Sequence, residues 1–266
     1  MLGLSWTSFR ARALPVLTTT AHATAPFLTI FLAVHLSAPA LANVGGASLA
    51  SQTLLLGREY YQTALGEPLL LFAPLAVHAL SGILKRILSL IPSSQPAPKQ
   101  RPASSPLTLS AITLGLLLPT HVLTHRVFPA LPTPPILSVG PAELDFAFVQ
   151  TALRTWPWRS GLMYAALAVA GVVHAVEGAT LLKTLYWKKS TRDTAKVEAE
   201  LQATSTPKRS SGLHPRTKRI ALALTLGALP VLTGLYALAI EPTFIFKDLA
   251  ARYRAAFLES PVYRIL

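Results

Sequence analysis

The chain has 266 residues, of which 52% are hydrophobic and only 13% charged; soluble domains carry about 25% charged residues, so this composition argues against a cytosolic globular enzyme. The 24 lysines and arginines outnumber the 11 acidic residues and give a net charge of +13, which favours a membrane protein with basic loops over a nucleic-acid-binding protein. Because the chain contains no cysteine, disulfides, zinc–thiolate sites, iron–sulfur clusters and thiol nucleophiles are excluded.

Five apolar stretches are long enough to cross a bilayer as helices, which takes about 20 residues. Some contain prolines, such as Pro74, Pro119 and Pro230. A membrane bundle tolerates these prolines because neighbouring helices satisfy the freed carbonyls. We therefore predict an all-α fold, an integral membrane bundle of five transmembrane helices. The stretches are residues 17–44, 68–84, 107–128, 160–182 and 220–240.

Basic residues are concentrated in segments that share one side of this predicted bundle. The N-terminus carries Arg10 and Arg12, residues 85–106 carry four basic residues, and residues 183–219 carry ten basic against three acidic residues. Because basic loops stay in the cytosol, we predict a cytosolic N-terminus and a C-terminus across the membrane. The two loops either attract anionic lipid headgroups or only set this topology.

The spans and loops together divide the chain into seven segments. These are a cytosolic leader (1–16), a first two-helix unit (17–90), a Pro/Ser-rich linker (91–106), a second two-helix unit (107–188), a polar basic loop (189–219), the fifth helix (220–240) and a C-terminal tail (241–266).

The two predicted two-helix units share three short sequence matches in the same order. Residues 35–41 match 125–131, residues 61–65 match 149–153, and residues 77–82 match 173–178. Chance is a poor explanation for three ordered matches. We therefore predict that helices 1–2 and helices 3–4 are parallel internal repeats.

Each predicted repeat contains two histidines at membrane depth, where ionisable side chains are costly and usually functional. His78 precedes the basic Lys85 by seven residues, which places it about 10 Å from the cytosolic edge. His174 lies at a similar depth, about 14 Å. We call these two residues the inner tier, and His35 and His125, which lie nearer the far side, the outer tier.

Paired histidines on different helices provide the axial ligands of a b-type haem. Gly82 and Gly178 follow the inner-tier histidines by four residues, on the same helical face, and leave space for a porphyrin. We therefore predict one or two b-type haems with His35, His78, His125 and His174 as axial ligands of the iron. The alternative is that these histidines only form hydrogen bonds between helices. His121, one turn before His125, is a rival ligand. Arg126, Lys85, Arg58 or Arg159 would meet the propionates.

Other polar residues are weaker candidates. Glu177 either orients His174 or reaches the cytosolic interface. The segment 58–62 has the character of an interfacial turn, where a quinone or lipid headgroup would bind. The sequence contains no phosphate loop, Ser-His-Asp set or carboxylate pair, so electron transfer is the enzyme-like activity with support.

The segment 35–85, with HLSAPALANVGG, LLGREYYQTALGEPLL and VHALSG, resembles the fungal mitochondrial outer-membrane family whose members suppress loss of the ER–mitochondria encounter structure. The resemblance implies a role in lipid homeostasis in the mitochondrial outer membrane. It also implies recruitment of a VPS-thirteen-type bridge-like lipid-transfer protein, and scrambling of lipids between leaflets. That family uses a Pro-x-Pro motif near its N-terminus. Residues 1–21 contain none, and Pro96 and Pro98 form the cytosolic instance here.

The five-helix plan with His-x-x-x-Gly helices is also similar to the cytochrome b anchors of succinate dehydrogenase and fumarate reductase, which carry bis-histidine haems. Two functions therefore compete. The first is a lipid-transfer adaptor of the mitochondrial outer membrane with a haem-binding bundle, and the second is a dihaem cytochrome that exchanges electrons with a quinone or a soluble carrier. A mature N-terminus beyond residue 20 would favour the second.

Overall fold

The computed structural model describes residues 6–91, 101–187 and 214–265, and every regular element in these ranges is a helix. Five of the helices are long and apolar enough to cross a membrane, which confirms the predicted all-α membrane bundle. The helices are α1 (Trp6–Tyr61), α2 (Glu67–Leu90), α3 (Pro106–Ala130), α4 (Phe146–Thr155), α5 (Pro157–Trp187), α6 (Pro215–Ile240), α7 (Lys247–Leu258) and α8 (Pro261–Arg264).

Helix α1 has 56 residues and would be about 84 Å long if straight, far more than a bilayer requires. It is broken at two glycines, and Gly46 has a φ of +59°, a conformation that side chains with a Cβ rarely adopt. After the break, the backbone N–H of Ala47 donates to Oε2 of Glu241 at 2.7 Å. A carboxylate from the end of α6 therefore caps the second part of α1.

The spanning helices pack as two groups. Helix α1 lies between α2 and α6, while α3 packs against α5. The α1–α6 contact is close because Gly234 faces the backbone of Pro39, as small residues do at helix contacts in membranes. A hydrogen bond of 2.7 Å from Asn43 Nδ2 to the carbonyl of Pro230 joins the same two helices. The pairing of α1 with α2 and of α3 with α5 follows the predicted units, whose status as repeats stays a prediction.

The remaining helices, α4, α7 and α8, pack together on the side of the bundle where α3 ends and α5 begins. We call this group the cap. Its core is aromatic: the rings of Phe148 and Phe257 are stacked with centroids 4.2 Å apart, and Tyr253 and Tyr263 are buried beside them. The segment 241–266, which we expected to be a tail, thus contributes helices α7 and α8 to this core.

Polar groups tie the cap together. Asp145 begins α4 by accepting a hydrogen bond from the N–H of Ala147 at 2.8 Å, and burial raises the pKa of its carboxyl group. Tyr253 donates to the backbone carbonyl of Glu143, and burial raises the pKa of this tyrosine as well. The buried amide of Gln150 donates to the carbonyl of Leu238 at 3.1 Å. This last bond connects the cap to α6.

Candidate functional site

The inner-tier histidines face each other. His78 on α2 and His174 on α5 have ring centroids 6.0 Å apart and planes at 84°. Nδ1 of His78 lies 3.0 Å from the carbonyl of Ala21, which can only accept, so the proton is on Nδ1 and the lone pair is on Nε2. Nδ1 of His174 lies 3.4 Å from the hydroxyl of Ser110. Such a bond on the far nitrogen is the usual support for an imidazole that ligates a metal.

The outer histidines form a cluster of three. His35 on α1 faces His121, with ring centroids 6.0 Å apart and planes at 80°. The Nδ1 atoms of both are buried, and no described residue provides them with a hydrogen bond. Since unsatisfied buried polar atoms are costly, this pair is a candidate site for a group that would engage those rings.

His125 has a different environment from the one we expected. Its Nδ1 lies 3.2 Å from the carbonyl of His121 and therefore carries the proton, so Nε2 accepts a hydrogen bond of 2.8 Å from the hydroxyl of Tyr164. Its ring also contacts Phe148 and Phe257 of the cap. Both nitrogens of His125 are thus engaged, and the outer histidine whose ring faces His35 is His121.

The region where α2 meets α3 and α5 is bridged by polar side chains, and we call it the polar seam. Helices α2 and α3 are not among the closely packed pairs of the described residues. Glu67 of α2 instead reaches Arg126 of α3 with bonds of 2.5 and 2.7 Å. His78, 11 residues further along α2 and thus about 16 Å away, reaches His174.

Gly82 and Gly178, which we predict to leave space for a porphyrin, have open surroundings at the position of a Cβ. A Cβ atom built on Gly82 or Gly178 would meet no described atom within 4 Å. Gly82 is exposed and Gly178 is half-buried. Both helices that carry the inner-tier histidines therefore have open space at these glycines.

Three of the four cations expected near propionates are engaged with other groups. Arg126 is paired with Glu67, Arg58 donates to the carbonyl of Leu144 at 2.6 Å, and Arg159 donates to the carbonyl of Val262 at 3.4 Å. The side chain of Lys85 has no hydrogen-bond or ion-pair partner within the described part of the chain. It is the available cation, two helical turns from His78.

Glu177, which we considered as a support for His174, is committed elsewhere. Its carboxylate is 7% exposed and accepts bonds of 2.6 Å from both Arg216 and Arg219 of α6. The two arginines precede the apolar part of α6. Their pairing with Glu177 therefore agrees with the second of our two expectations, that Glu177 reaches the interface rather than orienting His174. Pro96 and Pro98 lie outside the described residues.

The residues that form hydrogen bonds and ion pairs with the candidate site residues were not identified from the sequence. Tyr164, Glu67 and the two arginines of α6 decide which histidines and cations are free, yet none stands near its partner in the sequence. The one available indication was that Glu67 and Arg126 are lone charges at the ends of apolar runs. Among the described residues, no group of three or more histidines and carboxylates could hold a metal ion, so a metal would have to be held by a pair.

A family model for the transmembrane domain of MDM10-complementing protein 1 matches residues 116–233, which is a little under half of the chain. The matched part contains His121, His125, His174 and Glu177. No curated protein matches the chain, and no solved structure does. The similarity to this family suggests a mitochondrial membrane protein.

Proposed function

From this similarity and the polar seam, we propose that the protein acts in lipid homeostasis in the mitochondrial outer membrane and moves lipid headgroups between the two leaflets. The proposed orientation has the N-terminus in the cytosol and the C-terminus in the intermembrane space. The observation that carries the proposal is the seam itself. It has an ion pair between Glu67 and Arg126 at one level and paired imidazoles about 16 Å further along α2.

The seam would lower the barrier to headgroup passage by replacing water. A headgroup that leaves the interface loses its hydrogen bonds with water, which costs several kcal/mol per charged or polar group in hydrocarbon. The imidazoles of His78 and His174 and the ion pair offer alternative partners at two depths, while the acyl chains stay in the surrounding bilayer. The open volume at Gly82 and Gly178 supports this route.

The test is a scrambling assay in liposomes that contain the purified full chain and a fluorescent lipid, with a quencher that cannot cross the membrane. We expect the wild type to expose inner-leaflet lipid faster than protein-free liposomes. The double variant Gly82→Leu/Gly178→Leu fills the seam and should lose most of this rate. Gly115→Leu and Gly161→Leu fill open volume elsewhere on α3 and α5 and should keep it. A wild-type rate equal to that of protein-free liposomes would refute the proposal.

The resemblance further supports recruitment of a bridge-like lipid-transfer protein through the cytosolic linker. The linker begins where the cytosolic ends of α1 and α2 are joined, because buried Arg10 donates to the carbonyl of Ile91 at 3.1 Å. We expect Pro96→Ala/Pro98→Ala to abolish co-purification of that partner and to leave scrambling unchanged. Full retention of the partner would exclude these prolines as its binding site.

We also propose, as an alternative use of the same histidines, that they bind b-type haem. His78 and His174 each engage Nδ1 with a neighbouring helix, and His78 keeps the Nε2 lone pair free. His35 and His121 also face each other, with ring centroids 6.0 Å apart, but they lack such a bond on Nδ1 among the described residues. In this proposal His121, and not His125, is the axial ligand opposite His35, because Nε2 of His125 is engaged by the hydroxyl of Tyr164. Bound haem would supply a one-electron redox centre.

The two imidazole pairs favour one alternative function, a b-type dihaem cytochrome that exchanges electrons with a quinone or a soluble carrier. The absorbance spectrum of the purified protein tests haem binding. We expect a Soret band that is weakened in His78→Ala and His174→Ala and preserved in His214→Ala, where the exposed histidine caps α6. Absence of the band, with no iron by elemental analysis, would remove both the haem and the cytochrome proposals.

A further inference from the structure

Helix α7 of the cap has two faces of different character. Tyr253, Ala256 and Phe257 are fully buried against the cap core. The opposite face lines a shallow, wide-open cavity, and all of its lining residues belong to α7. Two cations seven residues apart flank this cavity, and small residues form its floor. The lining residues are Lys247, Ala250, Ala251, Arg254, Ala255 and Leu258.

The two cations of this face differ from the other cations of the cap. Arg252 is paired with Glu143 at 3.1 Å, and Arg264 with Glu259 at 3.1 Å. Arg154 and Arg159 donate to backbone carbonyls. Within the described residues, no such partner is found for Lys247 or Arg254, and both side chains are exposed beside the cavity. Their positive charge is therefore available to an anion.

The face lies next to the membrane. Lys247 follows the end of the last spanning helix, Ile240, by seven residues, which an extended chain covers in about 23 Å at most. Between them, Phe244 and Phe246 are 85% and 71% exposed, with ring centroids 5.3 Å apart. Exposed aromatic side chains beside a spanning helix belong at the headgroup level of a bilayer. The anion nearest to this face is then a lipid phosphate.

We propose that α7 binds the headgroup of an anionic phospholipid on the side of the membrane where the chain ends. Lys247 and Arg254 are two turns apart, about 10 Å along the helix axis, and each neutralises one phosphate. In a headgroup with two phosphates joined through glycerol, as in diphosphatidylglycerol, the phosphates lie closer together than about 10 Å, and the long side chains of Lys247 and Arg254 reach toward them over the alanines. This binding site lies on the cap and outside the polar seam. It is therefore independent of the proposed movement of lipids along the seam.

Native mass spectrometry of the purified full chain, freed of lipid and titrated with diphosphatidylglycerol, tests this site. A cation at a membrane surface contributes about 1 kcal/mol to the binding of anionic lipid. We therefore expect about fivefold weaker binding for Lys247→Ala or Arg254→Ala and roughly 30-fold weaker binding for the double variant. Arg264→Ala, which removes a paired cation from the same cap, should bind within about twofold of the wild type.

Further arms identify the ligand. Lys247→Arg/Arg254→Lys should bind as the wild type does, because the charges and their spacing are kept. Phosphatidylcholine should bind far more weakly than diphosphatidylglycerol, and inorganic phosphate should not displace the lipid at equal concentration. Equal affinity of wild type and double variant would overturn the proposal, as would equal binding of phosphatidylcholine or displacement by inorganic phosphate. The scrambling rate of the double variant separates this result from the proposed function, since we expect that rate to be unchanged.

Discussion

Gly234→Ala is the sharpest test of how the bundle is assembled. Gly234 lies on α6 where that helix crosses α1. A Cβ at this position would overlap the backbone oxygen of Pro39 and would lie 2.9 Å from its carbonyl carbon and 3.2 Å from Nδ2 of Asn43. Ordinary contacts of a Cβ begin at 3.4 Å. Because the obstacle is backbone, a rotamer change cannot relieve it, and the two helices must separate.

The cost follows from the packing. Overpacking a well-packed contact costs about 1–3 kcal/mol, and separation also weakens the hydrogen bond from Asn43 to Pro230, about 0.6 kcal/mol in a membrane protein. The better helix propensity of alanine returns about 1 kcal/mol. A net loss of about 0.6–2.6 kcal/mol is expected. In a chain of this size that corresponds to a melting temperature lower by about 1–10 °C.

Thermal unfolding of the purified protein in detergent measures this shift. Gly115→Ala is the matched control, because the same change is made in a spanning helix at a position with no described atom within 4 Å. The control should be as stable as the wild type or slightly more stable. If Gly234→Ala has the same melting temperature as the wild type, the close approach of α1 and α6 is refuted.

Three further predictions concern single polar contacts, each followed by thermal unfolding. Tyr164→Phe leaves Nε2 of His125 buried without its donor and should cost about 1–3 kcal/mol. Glu177→Gln leaves the two guanidinium groups of α6 without their carboxylate; since those groups are partly exposed, we expect about 2 kcal/mol, below the 3–5 kcal/mol of a fully buried pair. The pKa of the Glu143 carboxyl is lowered below its usual 4.5, first by the hydrogen bond from the Gly140 N–H and second by that from Arg252. The stability that this carboxylate contributes is therefore complete above about pH 4.5 and is lost as the pH falls through its lowered pKa in the folded protein. Glu143→Gln should therefore lose less stability on acidification than the wild type. A larger loss of stability on acidification for Glu143→Gln than for the wild type would contradict this prediction.

The spanning helices could be predicted because their evidence is local. Runs of apolar residues of the right length are visible in the sequence, and all five predicted stretches lie inside the five long helices. The break in α1 was not predicted. Two adjacent glycines are ambiguous alone, and the carboxylate that caps the second part of α1 comes from Glu241, 194 residues away.

The partners of the histidines could not be predicted for the same reason. His121 and His125 are one turn apart on the same helix, so periodicity cannot say which of them faces α1. In the folded chain, the ring of His121 faces His35, while His125 is engaged by the hydroxyl of Tyr164. The cap was also missed, because α4 and α7 are short helices of mixed polarity, with 10 and 12 residues, whose apolar faces find their partners only in the folded chain.

The contact between Glu241 and Ala47 has a consequence for biogenesis. The first spanning helix leaves the ribosome long before residue 241 has been synthesised. Its final bent form therefore depends on a carboxylate that is made almost last, and on the arrival of Gly234 against Pro39. Until the fifth helix is in place the first lacks both contacts, and a protein truncated after the fourth helix would not form them.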